Sequence, residues 1–279
     1  MVVKGPAKIN LTLDVLNRRE DGYHNVKMVM QSLDLCDEVT VELQGNDITV
    51  SSNNGVIPCD ENNIAYKAAK VMLQKTGINT GVKIHIQKNI PVAAGLAGGS
   101  TDGAAVLVAL NTLLDANLSE DELMELGGKF GADVPYCIMQ GTALATDTGV
   151  VLSKLCPYGE HTVLLVKPPI AVSTPWVYKN LDLKNVTHPD VDKFINCIEN
   201  KDYKKSYEYM GNVLESVTIK EYPVIAEIKN KMMELGASVS LMSGSGPTVF
   251  GIFENEQKAK DAAKIFEKDF KEVIVTKTV

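Results

Sequence analysis

No stretch of this chain is apolar for the roughly 18 residues that a membrane-spanning helix needs. Residues 1–6 also lack the layout of a secretion signal, in which a basic start precedes an apolar core. These two absences predict a cytoplasmic protein without a membrane partner.

Positive charge is in short supply as well. The chain has 28 basic and 35 acidic side chains, a formal net charge of −7, and no long block of like charge. Proteins that bind nucleic-acid polymers normally present a basic face to the phosphate backbone, so this class of partner is disfavoured. A phosphorylated small molecule would need only a few local lysines.

Metal-ligating patterns are also missing. The five cysteines are scattered without a C-x-x-C pair, and the four histidines have no metal-ligand spacing. We therefore expect free thiols in a reducing compartment rather than disulfides or a zinc site.

What the chain contains is typical of a globular protein, since 45% of its residues are apolar and its mean hydropathy is near zero. Its 279 residues exceed an ordinary domain of about 100 to 200 residues, which favours two domains. The pattern breaks around Pro157, Tyr158 and Gly159. We therefore place the domains at residues 1–155 and 156–279.

A strand is predicted at residues 6–16, where apolar side chains alternate with Lys8, Asn10, Thr12 and Asp14. Polar side chains on one face of a strand commonly lie in solvent. The pattern leaves open whether Lys8 and Asn10 do so or serve a site.

Scaffold elements are expected from there to residue 88. They are a hairpin of two strands at 39–43 and 48–50, a helix at 63–77 and a strand at 82–86. His85 should point from the last strand toward solvent.

The most informative stretch is residues 89–103. A strand ends at Lys88, a loop of small residues follows, and a helix that is apolar on nearly every side comes next. Without side chains in the way, backbone N–H groups can converge on a phosphate at the positive end of the helix dipole. The glycine spacing matches neither a Walker loop nor a Rossmann fingerprint. On spacing alone, a flexible connection or tight helix packing explains the loop equally well.

Two further segments are candidates for a site. Residues 119–122 indicate a capping box, and the helix that follows should end at Gly131. Asp133 lies between this helix stop and Pro135, in a stiff corner that can aim a carboxylate, although an Asp there can also stabilise its own turn. Residues 243–248 form a second glycine-rich turn, for which a tight hairpin is the ordinary explanation.

The second half of the chain alternates helices and strands. Helical stretches are predicted near 190–216, 222–235 and 256–268, and strands at 163–166, 239–242, 248–253 and 272–276. Helices packed on a sheet are therefore expected, which makes the fold class α+β.

Three segments resemble the three motifs of the GHMP small-molecule kinases, in the same order: residues 6–10, 91–101 and 243–248. Residues 19–24 and 131–135 are similar to family members that phosphorylate a cytidylyl substrate in isoprenoid synthesis. The resemblance implies an N-terminal ribosomal-protein-S5-like domain and a C-terminal ferredoxin-like domain. It also implies an ATP-dependent kinase that acts on a hydroxyl group of a small molecule.

The resemblance assigns the chemistry to Asp133 and Lys8. Asp133 would take up or orient the proton of the substrate hydroxyl, and Lys8 would lie beside the transferring phosphoryl group.

The resemblance also implies an ATP site in which Asn63 and Lys88 lie near adenine and a loop holds the triphosphate through its backbone. Mg²⁺ would accompany ATP, with Ser100 as the expected ligand and Thr101 as the alternative. The loop residues are Pro91, Val92, Ala93, Ala94, Gly95, Leu96, Ala97, Gly98, Gly99, Ser100 and Thr101.

For the substrate, Asn10 and His24 would form hydrogen bonds, with His24 at the cytosine edge. Tyr23 and Tyr178 would stack on the two sides of the ring. Thr174, in the same segment as Tyr178, completes the implied substrate site.

Two alternatives stay open. Another GHMP kinase would act on homoserine, mevalonate or a sugar, and a non-catalytic regulator of the same fold would bind nucleotide without turnover. The presence of both Lys8 and Asp133 argues against the regulator. We expect a monomer or a weak homodimer with a small-molecule substrate.

Overall fold

The computed structural model describes residues 1–279, which divide into two compact units that alternate along the chain. Unit 1 contains Met1–Ala7, Leu35–Val92 and Ala97–Gln140. Unit 2 contains Lys8–Asp34, Ala93–Leu96 and Gly141–Val279. The domain boundary predicted at residue 155 stays a prediction. No helix is both long and apolar enough to cross a membrane.

Two long strands open the chain and pair with each other, β1 (Val2–Arg18) and β2 (His24–Leu43). The apolar side chains that alternate along β1, such as Ile9 and Leu11, are fully buried. This burial explains the strand, because alternation places every second side chain on the same face. The strand predicted at residues 6–16 is confirmed.

Unit 1 continues with two strands and four helices. They are β3 (Ile48–Ser52), α1 (Ile64–Thr76), β4 (Val82–Gln87), α2 (Gly98–Leu113), α3 (Glu120–Gly128) and α4 (Val134–Met139). Helix α2 packs on α1, α3 and α4. Its Gly103 leaves no room for a larger residue, because a Cβ there would lie 2.6 Å from Ile64 Cγ2 of α1.

The predicted hairpin of residues 39–43 and 48–50 is wrong, although both strands form. Each pairs with β4, which runs antiparallel to the end of β2 and parallel to β3. The backbones of Gln44 and Gly45 form hydrogen bonds with Gly81 just before β4. The strand that returns after α1 therefore takes the position beside β2 that a hairpin would give to β3.

Local signals placed α1, α3 and the exposed His85 of unit 1 correctly. Asn63 caps α1, whose C-cap Gly77 is left-handed with φ 69°. Ser119 and Glu122 form both hydrogen bonds of a capping box on α3. His85 on β4 is exposed, as predicted.

Unit 2 adds six strands and six helices to its parts of β1 and β2. The strands are β5 (Thr142–Thr146), β6 (Val151–Lys154), β7 (Thr162–Lys167), β8 (Val239–Met242), β9 (Val249–Phe253) and β10 (Glu272–Lys277). The helices are α5 (Thr174–Lys179), α6 (Val191–Glu199), α7 (Tyr203–Ser206), α8 (Glu215–Glu221), α9 (Val224–Glu234) and α10 (Glu256–Phe266).

An antiparallel four-stranded sheet of order β10-β7-β9-β8 carries the second half of the chain. Helix α9 packs on β8 and β9, and α10 packs on β7 and β10. The strands predicted at 163–166, 239–242, 248–253 and 272–276 are confirmed, as are helices near 222–235 and 256–268. The alternation of helix and strand thus produced the expected α+β arrangement.

Four elements of four to six residues were not predicted, namely α4, α5, β5 and β6. The helical stretch predicted near 190–216 is divided into α6 and α7, and α8 begins only at its end. Pro135 and Pro175 stand in the first turns of α4 and α5, where proline is tolerated because the missing N–H has no helical partner. Strand β5 consists of threonine, alanine and leucine, and its partner β6 is largely exposed. Elements of four to six residues carry too little periodicity to be recognised.

Candidate active site

Lys8 and Asn10 of β1 are buried, with exposed fractions of 5% and 1%. Lys8 Nζ donates a hydrogen bond to Asn10 Oδ1 at 2.8 Å. The ammonium thus bonds a neutral amide rather than a carboxylate, and a buried ammonium without a counter-ion is costly. The interpretation that these side chains lie in solvent is wrong. A desolvated cation of this kind suits an anionic ligand.

A glycine turn (residues 243–246) between β8 and β9 lies against the same lysine. A Cβ on Gly244 would lie 3.5 Å from Lys8 Nζ. Asn212 holds this turn, because its Nδ2 donates to the carbonyl oxygens of Met242 and Gly244 at 2.8 and 2.7 Å. These residues form a hairpin turn, which the sequence analysis gave as their ordinary explanation. The turn also borders Lys8.

The small-residue loop (residues 89–97) contacts this turn through Gly95. Ser243 Oγ donates to the Gly95 carbonyl at 3.1 Å, and the Lys8 amide donates to the Leu96 carbonyl at 3.1 Å. Gly95 has φ 74°, and a Cβ on it would lie 2.5 Å from the Ser243 carbonyl oxygen. Both facts require glycine at this position. Within unit 2, the parts of the three motifs that this unit contains therefore come together.

The loop ends where α2 begins. The N-cap residue of α2 is Ala97, which has φ 59° and supplies no side-chain hydrogen bond. Gly98 and Gly99 follow as the first helical residues, and Gly99 is exposed. The first N–H groups of a helix have no helical acceptor, so this uncapped end can donate to an anion. Ser100 in the same turn is half-buried.

A buried charge cluster underlies this helix end. Lys88 Nζ forms ion pairs with Asp37 and, at 2.9 Å, with Asp102 Oδ2. The side chains of Asp37, Lys88 and Asp102 are 0%, 3% and 4% exposed. Burial raises the pKa of Asp102 to about 7, against the opposing attraction of Lys88.

Asn63 and Thr101, also predicted in the ATP site, are both buried. Asn63 Oδ1 accepts from the Ala65 amide at 2.8 Å, and its Nδ2 donates to the Pro58 carbonyl at 2.6 Å. Thr101 is fully buried, and its hydroxyl has no hydrogen-bond partner. The predicted roles of both residues stay predictions.

Asp133 is half-buried and stands at the N-cap position of α4. Its carboxylate makes no cap hydrogen bond, and its φ and ψ of −87° and −9° are helical rather than those of an ordinary N-cap. The Asp133 side chain therefore does not stabilise its own turn. The nearby Gly131 lies close to the start of α2, since a Cβ on it would be 4.0 Å from Ser100 Oγ.

Among the predicted substrate residues of unit 2, Asn10 is buried, whereas Tyr23, His24, Thr174 and Tyr178 are exposed or half-buried. The rings of His24 and Tyr178 have centroids 5.3 Å apart and are tilted by 37°. Tyr23 is 67% exposed. Burial and, secondarily, the charge of Arg18 lower the pKa of His24, which favours its neutral form near pH 7. Thr174 Oγ1 lies 2.7 Å from Ser245 Oγ of the glycine turn.

A family model described as GHMP kinases N terminal domain matches residues 63–141, and one described as GHMP kinases C terminal matches residues 189–272. The 4-diphosphocytidyl-2-C-methyl-D-erythritol kinase of Geobacillus thermodenitrificans (strain NG80-2) is 51% identical over 92% of this chain and 89% of its own length. The protein of the same name from Clostridium botulinum (strain Eklund 17B / Type B) is 47% identical over 100% of both chains. The chain belongs to the GHMP kinase family.

A solved structure supports the fold of this GHMP kinase. A crystal structure of a 4-(cytidine 5'-diphospho)-2C-methyl-D-erythritol kinase matches with a TM-score of 0.87 at 31% identity, covering 100% of this chain and 99% of its own. The predicted α+β GHMP kinase fold is confirmed, and so is the prediction of an ATP-dependent small-molecule kinase.

Sequence reasoning missed three residues of this GHMP kinase, namely Asp37, Asp102 and Asn212. Asp37 is one of two adjacent acids, with Glu38, just before the alternating stretch 39–43, and Asn212 follows Gly211 without any repeat or motif. Asp102 lies inside the small-residue stretch 89–103, but no feature of the sequence distinguishes it from a solvent-exposed helix residue. Their partners are distant in sequence, so no local signal identified them.

Proposed function

We propose that this chain transfers the γ-phosphoryl group of ATP to the C2 hydroxyl of 4-diphosphocytidyl-2-C-methyl-D-erythritol, in the non-mevalonate isoprenoid pathway. The names of relatives that are 47% and 51% identical support this substrate. The structural observation that carries the proposal is the buried Lys8, whose ammonium bonds a neutral amide beside the glycine turn. Positive charge held in place away from water stabilises a phosphoryl group during transfer.

The reaction breaks the bond between the γ-phosphorus and its bridging oxygen and forms a bond from that phosphorus to the C2 oxygen. ADP leaves with the bridging oxygen, and the product is the 2-phosphate. The hydroxyl proton passes to Asp133, whose carboxylate is not used to cap α4. Lys8 offsets the negative charge of the transferring group.

ATP is proposed to bind through the backbone of residues 91–101. The exposed Gly99 and the uncapped start of α2 leave N–H groups available to phosphate. Asn63 and Lys88 border adenine in this proposal. Because their side chains already have protein partners, they shape the site more than they bond the base.

Mg²⁺ is proposed to accompany ATP. The structure has no group of three His, Cys, Asp or Glu side chains that would hold a metal by themselves. Mg²⁺ does not need such a group, because it commonly relies on substrate phosphates, water and one or two protein oxygens. Ser100 is the proposed protein ligand, and the ion would neutralise phosphate charge.

The cytidylyl group is proposed to bind in unit 2. His24 bonds the cytosine edge, and the exposed ring of Tyr23 and the ring of Tyr178 cover its faces. Asn10 and Thr174 complete the substrate contacts.

A coupled ADP assay with a panel of acceptors tests the function. We expect ADP release with the cytidylyl substrate and none with homoserine, mevalonate or a sugar, and ³¹P NMR should locate the new phosphate at C2. Turnover with another acceptor would favour a different GHMP kinase. ATP binding without substrate-dependent ADP release would favour a nucleotide-binding regulator.

We also propose that the enzyme works in the cytoplasm as a monomer or weak homodimer. Its partner is the small-molecule substrate, and its net charge of −7 disfavours a nucleic-acid polymer. Sedimentation at several protein concentrations would measure the oligomeric state, and a tight assembly would contradict the proposal.

A further inference from the structure

Asp37 belongs to the charge cluster, in which Lys88 pairs with both carboxylates, and it has no role in the proposed reaction. It lies on β2, is fully buried, and divides its two carboxylate oxygens between two tasks. Its Oδ2 pairs with Lys88, which also pairs with Asp102 on α2. Its Oδ1 accepts hydrogen bonds from the amides of Asn89 and Ile90 at 2.6 and 2.8 Å.

These contacts reach both ends of the small-residue loop. Asn89 and Ile90 are the first residues of the loop, and Asp102 lies in the helix that begins directly after it. The bonds from Asp37 hold the loop entry on β2, while the Lys88 ion pairs hold the start of α2 on the same group. Asp37 and Lys88 together therefore set where the loop begins and ends.

Stability does not account for such a cluster. Two carboxylates and one ammonium have left water, and a buried ionic group is often no more stable than apolar side chains of the same volume. One oxygen of Asp102, Oδ1, has no hydrogen-bond partner at all. The contacts of these charged groups instead fix geometry, since each holds a particular backbone segment in place.

We propose that Asp37 is a positioning residue that holds the small-residue loop, through Asn89, Ile90 and the Lys88–Asp102 pair, in the geometry that binds the ATP triphosphate. The inference rests on the proposed function of the loop. Asp37 acts through backbone amides and Lys88 rather than through contact with a substrate.

The variant Asp37→Asn tests the proposal because an amide has one acceptor oxygen, which cannot serve both Lys88 and the amides of Asn89 and Ile90. Its oxygen can face the two amides or Lys88, and its NH₂ group then meets the remaining donors. A displacement of about 1 Å can cost on the order of 100-fold in rate, so we expect kcat/KM for ATP to fall by about that factor. The KM for the cytidylyl substrate should stay within about twofold of wild type, since a locally misplaced loop alters only the ATP side.

Hydrogen exchange supplies a readout of the loop itself. In Asp37→Asn, amide exchange in a peptide covering residues 89–97 should accelerate, and saturating ATP should slow it again. Glu38→Gln is the matched control, because Glu38 is the exposed neighbour on the same strand. It should change neither the exchange nor the kinetics.

The outcomes separate the inference from the proposed function. If wild type does not bind ATP, the proposed function fails. If wild type binds ATP and folded Asp37→Asn retains its kcat/KM for ATP, or loses affinity for both substrates equally, the positioning role is refuted. Should Asp37→Asn not fold, Asp102→Asn decides, because it keeps an oxygen for Lys88 but weakens the attraction. It should raise the KM for ATP alone, and an unchanged KM would refute the role.

Discussion

Asp133 carries the most direct prediction about the chemistry. Its carboxylate does not cap α4, although it stands at the N-cap position. Asp133→Asn keeps the size and removes the proton acceptor, so kcat should fall by about 10²- to 10⁴-fold with little change in affinity for either ligand. Steady-state and binding measurements on the purified variant provide the check. Glu125→Gln, on the surface of α3, is the control, and near-normal turnover in Asp133→Asn would remove this residue from the mechanism.

His24 carries the prediction about specificity. Cytosine and uracil exchange donor and acceptor roles at position 4 and N3, so a side chain on that edge distinguishes them whereas stacking does not. Burial holds the pKa of His24 below its ordinary value, and the neutral imidazole offers one donor and one acceptor. His24→Ala should narrow the preference for the cytidylyl over the uridylyl substrate, measured as a ratio of kcat/KM.

Tyr23→Ala is the comparison for His24→Ala. The exposed Tyr23 ring supplies contact area rather than an edge contact, so its loss should raise KM and preserve the preference. A cytidylyl-to-uridylyl ratio that stays the same in His24→Ala would place the histidine in the structure of its turn instead.

The entrance of α2 is the element that should govern ATP affinity. A Cβ on Gly98 would lie 3.1 Å from Lys88 Nζ, whereas a Cβ on Gly99 meets only Ile64 Cδ1 at 3.5 Å. Gly99→Val therefore tests the helix entrance without crowding the protein. We expect it to weaken ATP binding by at least about tenfold, or 1.4 kcal/mol, in calorimetry. Gly55→Val is the control, since Gly55 has open space around it; equal affinity in both variants would contradict the loop assignment.

The glycine turn beside Lys8 depends on Asn212. Its Nδ2 donates to two carbonyl oxygens, and its Oδ1 accepts from the Leu214 amide at 3.0 Å. Asn212→Asp would place a carboxylate oxygen against those carbonyls, so stability should fall by about 1–3 kcal/mol or more, and kcat should fall with it. Urea unfolding and kinetics measure the two effects.

Asn196→Asp is the control for Asn212→Asp. Asn196 is exposed on α6 and uses its Oδ1 as an acceptor for Asn200, which aspartate can also do. If Asn212→Asp behaves like this control, the turn does not depend on the buried amide.

The stability of the folded chain should depend on pH through Asp102. Its pKa is about 7 in the folded state against 3.8 ordinarily, with Lys88 and Asp37 facing it. The folded state therefore holds this proton more tightly, and the resulting stabilisation is present at low pH and lost as pH rises from about 4 to about 7. At 1.36 kcal/mol per pKa unit, the loss is at most roughly 4 kcal/mol.

Asp102→Asn removes that titration and leaves the other groups in place. Relative to wild type, the variant should gain stability as pH rises from about 4 to about 7, after which the difference should be constant. Urea midpoints of both proteins at several pH values provide the measurement. If the urea midpoints of the two proteins changed in parallel between about pH 4 and about pH 7, the pKa of Asp102 would not be raised by folding.

Much of the fold was predictable because its signals are local. The cap at Asn63, the capping box at Ser119 and the strand at 239–242 each depend on residues within a few positions. The family motifs were recognisable for a different reason. Close backbone contacts require glycine at particular positions, and at Gly95 any Cβ would meet the Ser243 carbonyl oxygen.

The remaining features arise from contacts between distant residues. The pairing of β3 with β4, the burial of Lys8 and the ion pairs of Asp37 all join segments that are far apart along the chain. Periodicity states which face of a strand is apolar, but it does not state which strand lies beside it or whether its polar face is also covered. The amino-acid pattern was thus sufficient for most of the elements, the family and its motifs. The packing of the folded chain made Lys8 a buried cation and Asp37 an anchor, because desolvation and hydrogen-bond geometry exist only once the partners are assembled.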